Sequence, residues 1–196
     1  MDLRNTGDRY GAMIIALHWL MLVQLVAVYT CIELHEFFPK GSDPREALKA
    51  WHFMLGLSVL VLVVLRLAAR LGSGPIPRIE PAPPLWQQRV AGTLHLALYV
   101  LMIGMPVVGW LVLSAKGNPI PFFGLELPPL LDKDKELAKA IMEIHEVGAN
   151  AGYFLVGLHA AAGLYHHYFV RDNTLVRMLP RRGGSHRPAE TREPGV

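Results

Sequence analysis

The sequence contains a single cysteine, Cys31, among 196 residues. One cysteine excludes an internal disulfide and any cysteine-ligated iron–sulfur cluster or structural zinc site within the chain. Charged residues are also scarce, at 18% of the chain, whereas hydrophobic residues make up 52%. This balance is more apolar than that of an average soluble domain, and it indicates a membrane protein.

Four long apolar runs account for this composition. They cover residues 11–32, 50–67, 93–115 and 147–170, and each is close to or above the roughly 18 residues that a transmembrane helix needs. We therefore predict an all-α protein, a transmembrane four-helix bundle. Residues 1–182 are predicted to form one membrane domain, and residues 183–196 a disordered cytoplasmic tail.

Lysine and arginine are distributed unevenly over the predicted connections. Twelve of the nineteen lie at the N-terminus, around the connection between the second and third runs, or after the fourth run. Because cytoplasmic loops carry the excess of these residues, both termini are predicted to be cytoplasmic. The excess of basic over acidic residues in the chain is then explained by membrane topology, and nucleic-acid binding is not needed to explain it.

The external connections are predicted over residues 33–49, as a loop, and over residues 116–143, ending in a helical turn that leads into the fourth run. Together they hold seven bases against nine acids. The proline-rich segment at 75–84 is predicted to be a non-helical internal linker.

Histidines recur inside the apolar runs, where ionisable side chains are rare and usually functional. His145 and His159 lie fourteen residues apart, close to four helical turns, so they share one helix face about 21 Å apart along the axis. His52 lies near the external end of the second run, and His18 and His95 lie near the internal ends of the first and third. The sequence therefore offers imidazoles at two depths.

Two imidazoles from facing helices at one depth can hold a haem iron with no open position, which suits one-electron transfer more than oxygen binding. The external pair is predicted to be His52 with His145. The internal site has His159 with either His18 or His95, and the spacing leaves that choice open. Zinc is a poor alternative, since neither group offers enough further ligands at one point.

Other polar residues near the internal depth are candidates for cofactor or quinone contacts. Arg66 follows His52 by fourteen residues, so it lies on the same face at the internal depth. It either reaches to the lipid headgroups or pairs with an anionic group. His95, if it is not a ligand, is a candidate contact for a haem propionate or, with Trp86 and Arg89, for a quinone, and a packing function explains it equally well. No site is predicted at four remaining histidines: His35, His166, His167 and His186.

Several segments resemble the bacterial cytochrome b561 family. They include I-A-L-H-W-L at 15–20, W-H-F-M-L-G at 51–56, I-H-E at 144–146 and G-L-H-A-A-A-G-L-Y-H-H-Y-F-V-R-D-N-T-L-V-R-M-L-P at 157–180. The likeness covers about residues 10–182. It is greatest to the small four-helix dihaem type that acts as a superoxide oxidase.

The resemblance implies two haem b groups, with His18 and His159 on the internal one and His52 and His145 on the external one. It also implies an oxidoreductase of a bacterial inner membrane, which passes single electrons from a small periplasmic donor to ubiquinone. Superoxide is the donor that the resemblance implies.

The acidic balance of the external connections does not favour long-range steering of an anion such as superoxide. A local patch of three bases near His52 is therefore the predicted source of attraction: Lys40, Arg45 and Lys49.

Two other functions fit four apolar spans with internal histidines. A haem-binding membrane anchor or electron-transfer subunit of a larger dehydrogenase or hydrogenase complex would need larger docking elements than these short connections. A transporter or proton channel would use the histidines as relays, but the sequence shows no inverted repeat. The preferred interpretation is a membrane cytochrome whose partners are lipid, ubiquinone and a small periplasmic donor, with no nucleic acid.

Overall fold

The computed structural model describes residues 4–180. They form four long helices, α1 (Ala12–Leu34), α2 (Asp43–Gly72), α3 (Leu85–Lys116) and α4 (Lys135–Tyr165). All four are long and apolar enough to cross a membrane. The prediction of an all-α transmembrane bundle is confirmed, whereas the predicted tail at 183–196, with His186, lies outside the described residues.

Each helix extends beyond the apolar run that predicted it. α2 begins at Asp43 with Pro44 in its first turn, where the missing proline N–H would have no helical partner anyway. α4 begins after Asp134. The carboxylate of Asp134 accepts hydrogen bonds from the backbone N–H groups of Glu136 and Leu137, both at 3.0 Å, as an N-cap does. The loop expected over 33–49 is therefore wrong in extent, because only residues 35–42 separate α1 from α2.

A short hairpin that the sequence analysis did not predict lies between α3 and α4. β1 (Pro121–Phe122) pairs antiparallel with β2 (Leu125–Glu126). The turn residues Phe123 and Gly124 have φ values of 48° and 86°, the positive values that a two-residue type I′ turn requires. Ile120, only 1% exposed, packs with core residues of α2 and α3 and fixes the hairpin against the bundle.

Both ends of the described chain lie at one end of the bundle, which we name the termini side; the α1–α2 and α3–α4 connections lie on the opposite loop side. On the termini side three segments interlock: residues 4–11, 73–84 and 171–180. Trp19 Nε1 donates to Met178 O at 2.7 Å. Arg177 donates to Pro77 O at 2.5 Å and lies 5.5 Å over the Tyr10 ring. The 75–84 linker is non-helical, as predicted.

Close backbone packing is concentrated between sequential helices: α1 on α2, α2 on α3 and α3 on α4. The central core belongs to α1, α2 and α3 and includes Met21, Val63 and Met102. α4 contributes only Ala138 and Gly152 as buried residues. It meets α1 and α2 mainly through aromatic and imidazole side chains, and the candidate site lies in that gap.

Gly152 allows α1 to approach α4, because a methyl group there would collide with the Tyr29 hydroxyl, which donates to Ala149 O at 2.9 Å. We expect Gly152→Ala to displace Tyr29 and to lower the free energy of unfolding by about 1–3 kcal/mol, the usual cost of overpacking. Thermal unfolding in detergent measures the effect. Gly157→Ala on the same helix, with nothing within 4 Å of the added methyl, is the matched control, and an equal loss in both variants would contradict this account.

Candidate functional site

The loop-side pair joins α2 to α4. The rings of His52 and His145 lie next to each other in a T-shaped arrangement, with centroids 6.4 Å apart and an interplanar angle of 82°. His52 Nδ1–H donates to Val28 O of α1 at 3.0 Å, whereas His145 Nδ1 is buried without a hydrogen-bond partner. A Cβ at Gly109 of α3 would lie 3.3 Å from His145 Cε1. All four helices therefore shape this pair.

The termini-side group joins α1, α3 and α4. The ring centroids of His18 and His159 lie 6.1 Å apart at 70°, and those of His95 and His159 lie 5.3 Å apart at 75°. His18 Nδ1 is buried without a partner, whereas His95 Nδ1–H donates to Ala91 O at 2.7 Å. Residues 4–180 contain no cluster of three or more His, Cys, Asp or Glu side chains arranged to hold a bare metal ion.

Arg66 lies beside the termini-side histidines. Its guanidinium is close enough to His18, His95 and His159 to act on them electrostatically, and it adjoins the Tyr99 hydroxyl. Within the described part of the chain it forms no ion pair with a carboxylate. A partly buried cation without an acidic partner suits an anionic group bound nearby.

Trp86 and Arg89 do not join this group. They lie in the first turns of α3 with exposed side chains, 64% exposed in the case of Trp86. Among residues 4–180 neither makes a hydrogen bond or ring contact with His18, His95 or His159. Of the quinone candidates proposed from sequence, the structure brings only His95 to the site.

Four lysines line a cleft on the loop side that sequence reasoning missed. We name this cavity of about 670 Å³ the lysine cleft; its lining includes Lys116, Lys133, Lys135, Lys139, Glu143 and Glu146. Within the described chain none of the four lysines is ion-paired. Lys116 is close enough to His145 to act on it electrostatically. The cleft therefore places unpaired cations beside the loop-side pair.

The basic patch predicted near His52 is largely neutralised. Arg45 is buried, donates to His35 O and Phe38 O at 2.9 and 3.0 Å, and pairs with Glu36 at 3.1 Å. Lys49 pairs with Glu46 at 2.9 Å. Of the three predicted bases only Lys40 forms no ion pair within the region that the structure describes. Most of the unpaired lysines on this side line the lysine cleft instead.

His166, predicted to be an ordinary interfacial residue, has a specific partner. It begins a π-helical turn (His166–Val170) after α4, and its Nδ1–H donates to Asp172 Oδ2 at 2.5 Å. Burial raises the pKa of Asp172, but hydrogen bonds from His166 and Thr174 outweigh it, so the pKa lies below its usual range. This pair fastens the end of α4 to residues 171–180.

A family profile described as prokaryotic cytochrome b561 matches residues 9–181. The chain belongs to this family. Cytochrome b561 homolog 1 of Escherichia coli K12 is 37% identical over 175 residues, which cover 89% of this chain and 99% of that protein. A Yersinia pestis protein named probable superoxide oxidase CybB is 36% identical over 176 residues, 90% of this chain and 98% of its own length. Cytochrome b561 homolog 2 of Escherichia coli K12 is 28% identical over 190 residues, 91% of this chain and 95% of that protein.

Membership of the cytochrome b561 family implies an electron-transfer protein of the membrane that binds haem b. The geometry of the histidines can be tested against that group. Two imidazoles that bind one metal from opposite sides, with metal–nitrogen bonds of about 2 Å, place their ring centroids roughly 6 to 6.5 Å apart.

The two predicted pairs match this separation. The ring centroids of His52 and His145 lie 6.4 Å apart, and those of His18 and His159 lie 6.1 Å apart. The ring centroids of His95 and His159 lie 5.3 Å apart, below this range. The residues of this cytochrome b561 therefore fit one bis-histidine haem on each side of the bundle.

Proposed function

We propose that this cytochrome b561 is a superoxide:ubiquinone oxidoreductase with two haem b groups, located in a bacterial inner membrane with its termini side toward the cytoplasm. The observation that carries the proposal is the presence of two histidine pairs, at two depths of one bundle, with the separation of haem ligands. The excess of lysine and arginine on the termini side supports the orientation.

The lysine cleft supports an anionic donor. A cleft with an excess of positive charge, here four lysines against Glu143 and Glu146, raises the local concentration and the association rate of an anion. One relative carries superoxide oxidase in its name, and superoxide is a small anion that fits a cleft beside His145. In the proposed reaction two superoxide anions each lose one electron and become O₂, while one ubiquinone takes two electrons and two protons and becomes ubiquinol.

The side chains of the two histidine pairs would bind haem b, and their neighbours would orient the rings and hold the anionic groups of the cofactor. A haem b held by two imidazoles supplies a one-electron carrier without an open iron position. His52 is held in one tautomer by the Val28 carbonyl, and Gly109 leaves room for the His145 ring. Arg66 supplies a cation for an anionic cofactor group on the termini side.

Ubiquinone is proposed to react on the termini side, next to His95. His95 is exposed at the α3 surface and its ring contacts that of His159. Because its separation from His159 is below the range for two ligands of one metal, it is free to contact a quinone headgroup or a haem propionate. The apolar outer faces of the helices open this region to lipid, where ubiquinone is dissolved.

Stopped-flow mixing tests the reaction. The oxidised purified protein is mixed with superoxide, and the haem α-band is followed; we expect rapid reduction that superoxide dismutase abolishes, followed by reoxidation on addition of ubiquinone. The physical reason is the attraction of the anion to the lysine cleft beside the loop-side pair. Haems that stay oxidised with superoxide, while another donor reduces them, would overturn the choice of substrate.

A further inference from the structure

The two histidine pairs have different hydrogen bonds. On the loop side His52 Nδ1–H donates to Val28 O at 3.0 Å, whereas on the termini side His18 Nδ1 is buried without a partner. A hydrogen bond from the second nitrogen of a metal-bound imidazole raises the basicity of that ligand and thereby favours the more positive, oxidised metal. This contact therefore lowers the reduction potential of a group bound on the loop side.

The two pairs also have different neighbouring charges. Arg66 is partly buried within a membrane-spanning helix, close to His18 and His159, and has no carboxylate partner among the described residues. Reduction adds one negative charge to the bound group. A nearby cation favours that change, and it does so more strongly inside a bundle than in water.

The lysines of the lysine cleft also favour reduction of a group bound on the loop side, but they reduce the difference in reduction potential between the two sides only weakly. Its four lysines are exposed to water, and the same cleft contains Glu143 and Glu146. Solvent and salt screen exposed charges, with a screening length of about 10 Å at 0.1 M salt. The partly buried Arg66 charge therefore outweighs the cleft in setting the potential difference.

We propose that Arg66 and the Val28 carbonyl hold the termini-side haem at a higher reduction potential than the loop-side haem, so that electrons received on the loop side move toward the termini side. The inference rests on the proposed function for the presence of two haems. One electron leaves the loop-side site and one enters the termini-side site, and no bond is made or broken.

Spectroelectrochemical titration with chemical mediators tests the order of the potentials. His145→Ala leaves the termini-side haem alone and His18→Ala leaves the loop-side haem alone, so each potential can be assigned. We expect the haem retained in His145→Ala to have the higher potential. Equal potentials, or the opposite order, would overturn the proposal.

Substitution of Arg66 tests the cause. Arg66→Gln is expected to make reduction of the termini-side haem at least tenfold less favourable, a downward shift of about 59 mV for one electron, and to leave the other haem unchanged. Arg66→Lys should restore most of the potential. Arg70→Gln, at an exposed position one turn later, is the matched control. An unchanged potential in Arg66→Gln would refute the function assigned to Arg66.

Two further outcomes remain decisive. If Arg66→Gln loses the termini-side haem, the comparison of His145→Ala with His18→Ala still decides the order of potentials. If superoxide fails to reduce the wild-type protein, the choice of donor is wrong, but the mediated titration gives the same potentials. Failure of the inference is therefore distinguishable from failure of the proposed substrate.

Discussion

Alanine at His52 or His145 is expected to remove one haem, and alanine at His18 or His159 is expected to remove the other. Each substitution deletes one imidazole of a pair whose ring centroids lie 6.4 Å apart on the loop side or 6.1 Å apart on the termini side. A single remaining ligand holds haem much less tightly. The pyridine haemochromogen assay should show two haems per chain in the wild type and one in each of these variants. The helix content measured by circular dichroism should stay close to that of the wild type.

His95→Ala is the matched control on the termini side. Its ring lies 5.3 Å from that of His159, and its Nδ1–H is used by Ala91 O, so we expect this variant to keep both haems. Retention of both haems in His18→Ala, together with loss of one in His95→Ala, would reverse the choice of ligand. The same pair of variants thus decides between the two alternatives that sequence spacing leaves open.

The helices were predictable because lipid imposes a length and an apolar composition that can be counted along the chain. Their ends were not, because the first turns of α2 and α4 are polar and project beyond the apolar runs. Asp43 and Lys135 begin these helices, and their stability depends on capping and on packing at the loop side. The hairpin at 121–126 was missed because its strands have only two residues each.

The two depths on α4 were predictable because the fourteen residues between His145 and His159 fix both rotation and rise. The partner of His159 was not, since His18 and His95 lie at similar depth on different helices. Spacing within a helix says nothing about how far apart two helices lie. The structure supplies that distance. The ring centroid of His18 lies 6.1 Å from that of His159, whereas the ring centroid of His95 lies 5.3 Å from it.

The lysine cleft could not be predicted from sequence spacing alone. Lys135 and Lys139 share a helix face by their four-residue spacing, but Lys116 ends a different helix and Lys133 precedes α4. They converge because the Asp134 N–H donates to Ala115 O at 2.9 Å and joins the end of α3 to the start of α4. Counting charges over whole connections averages these lysines with distant acids, so the count does not reveal the cleft.

Reversal of two charges in this cleft, Lys116→Glu with Lys139→Glu, is expected to slow reduction by superoxide about 10- to 100-fold at low salt, within the range that electrostatic steering covers. The variant replaces two attractive charges by two repulsive ones beside His145. Stopped-flow measurement of the second-order rate constant at several ionic strengths tests this. The wild-type rate should fall as salt rises, and the variant rate should not.

Lys40→Glu with Lys49→Glu is the matched control, because it makes the same change in net charge on the same side of the protein. Lys40 is exposed and Lys49 is already paired with Glu46, so we expect a small effect on the rate. Equal slowing by both double variants would show that net charge acts and that the cleft has no special function. Reduction by an uncharged quinol should be the same in all three proteins, since a neutral donor does not respond to either pair of charges.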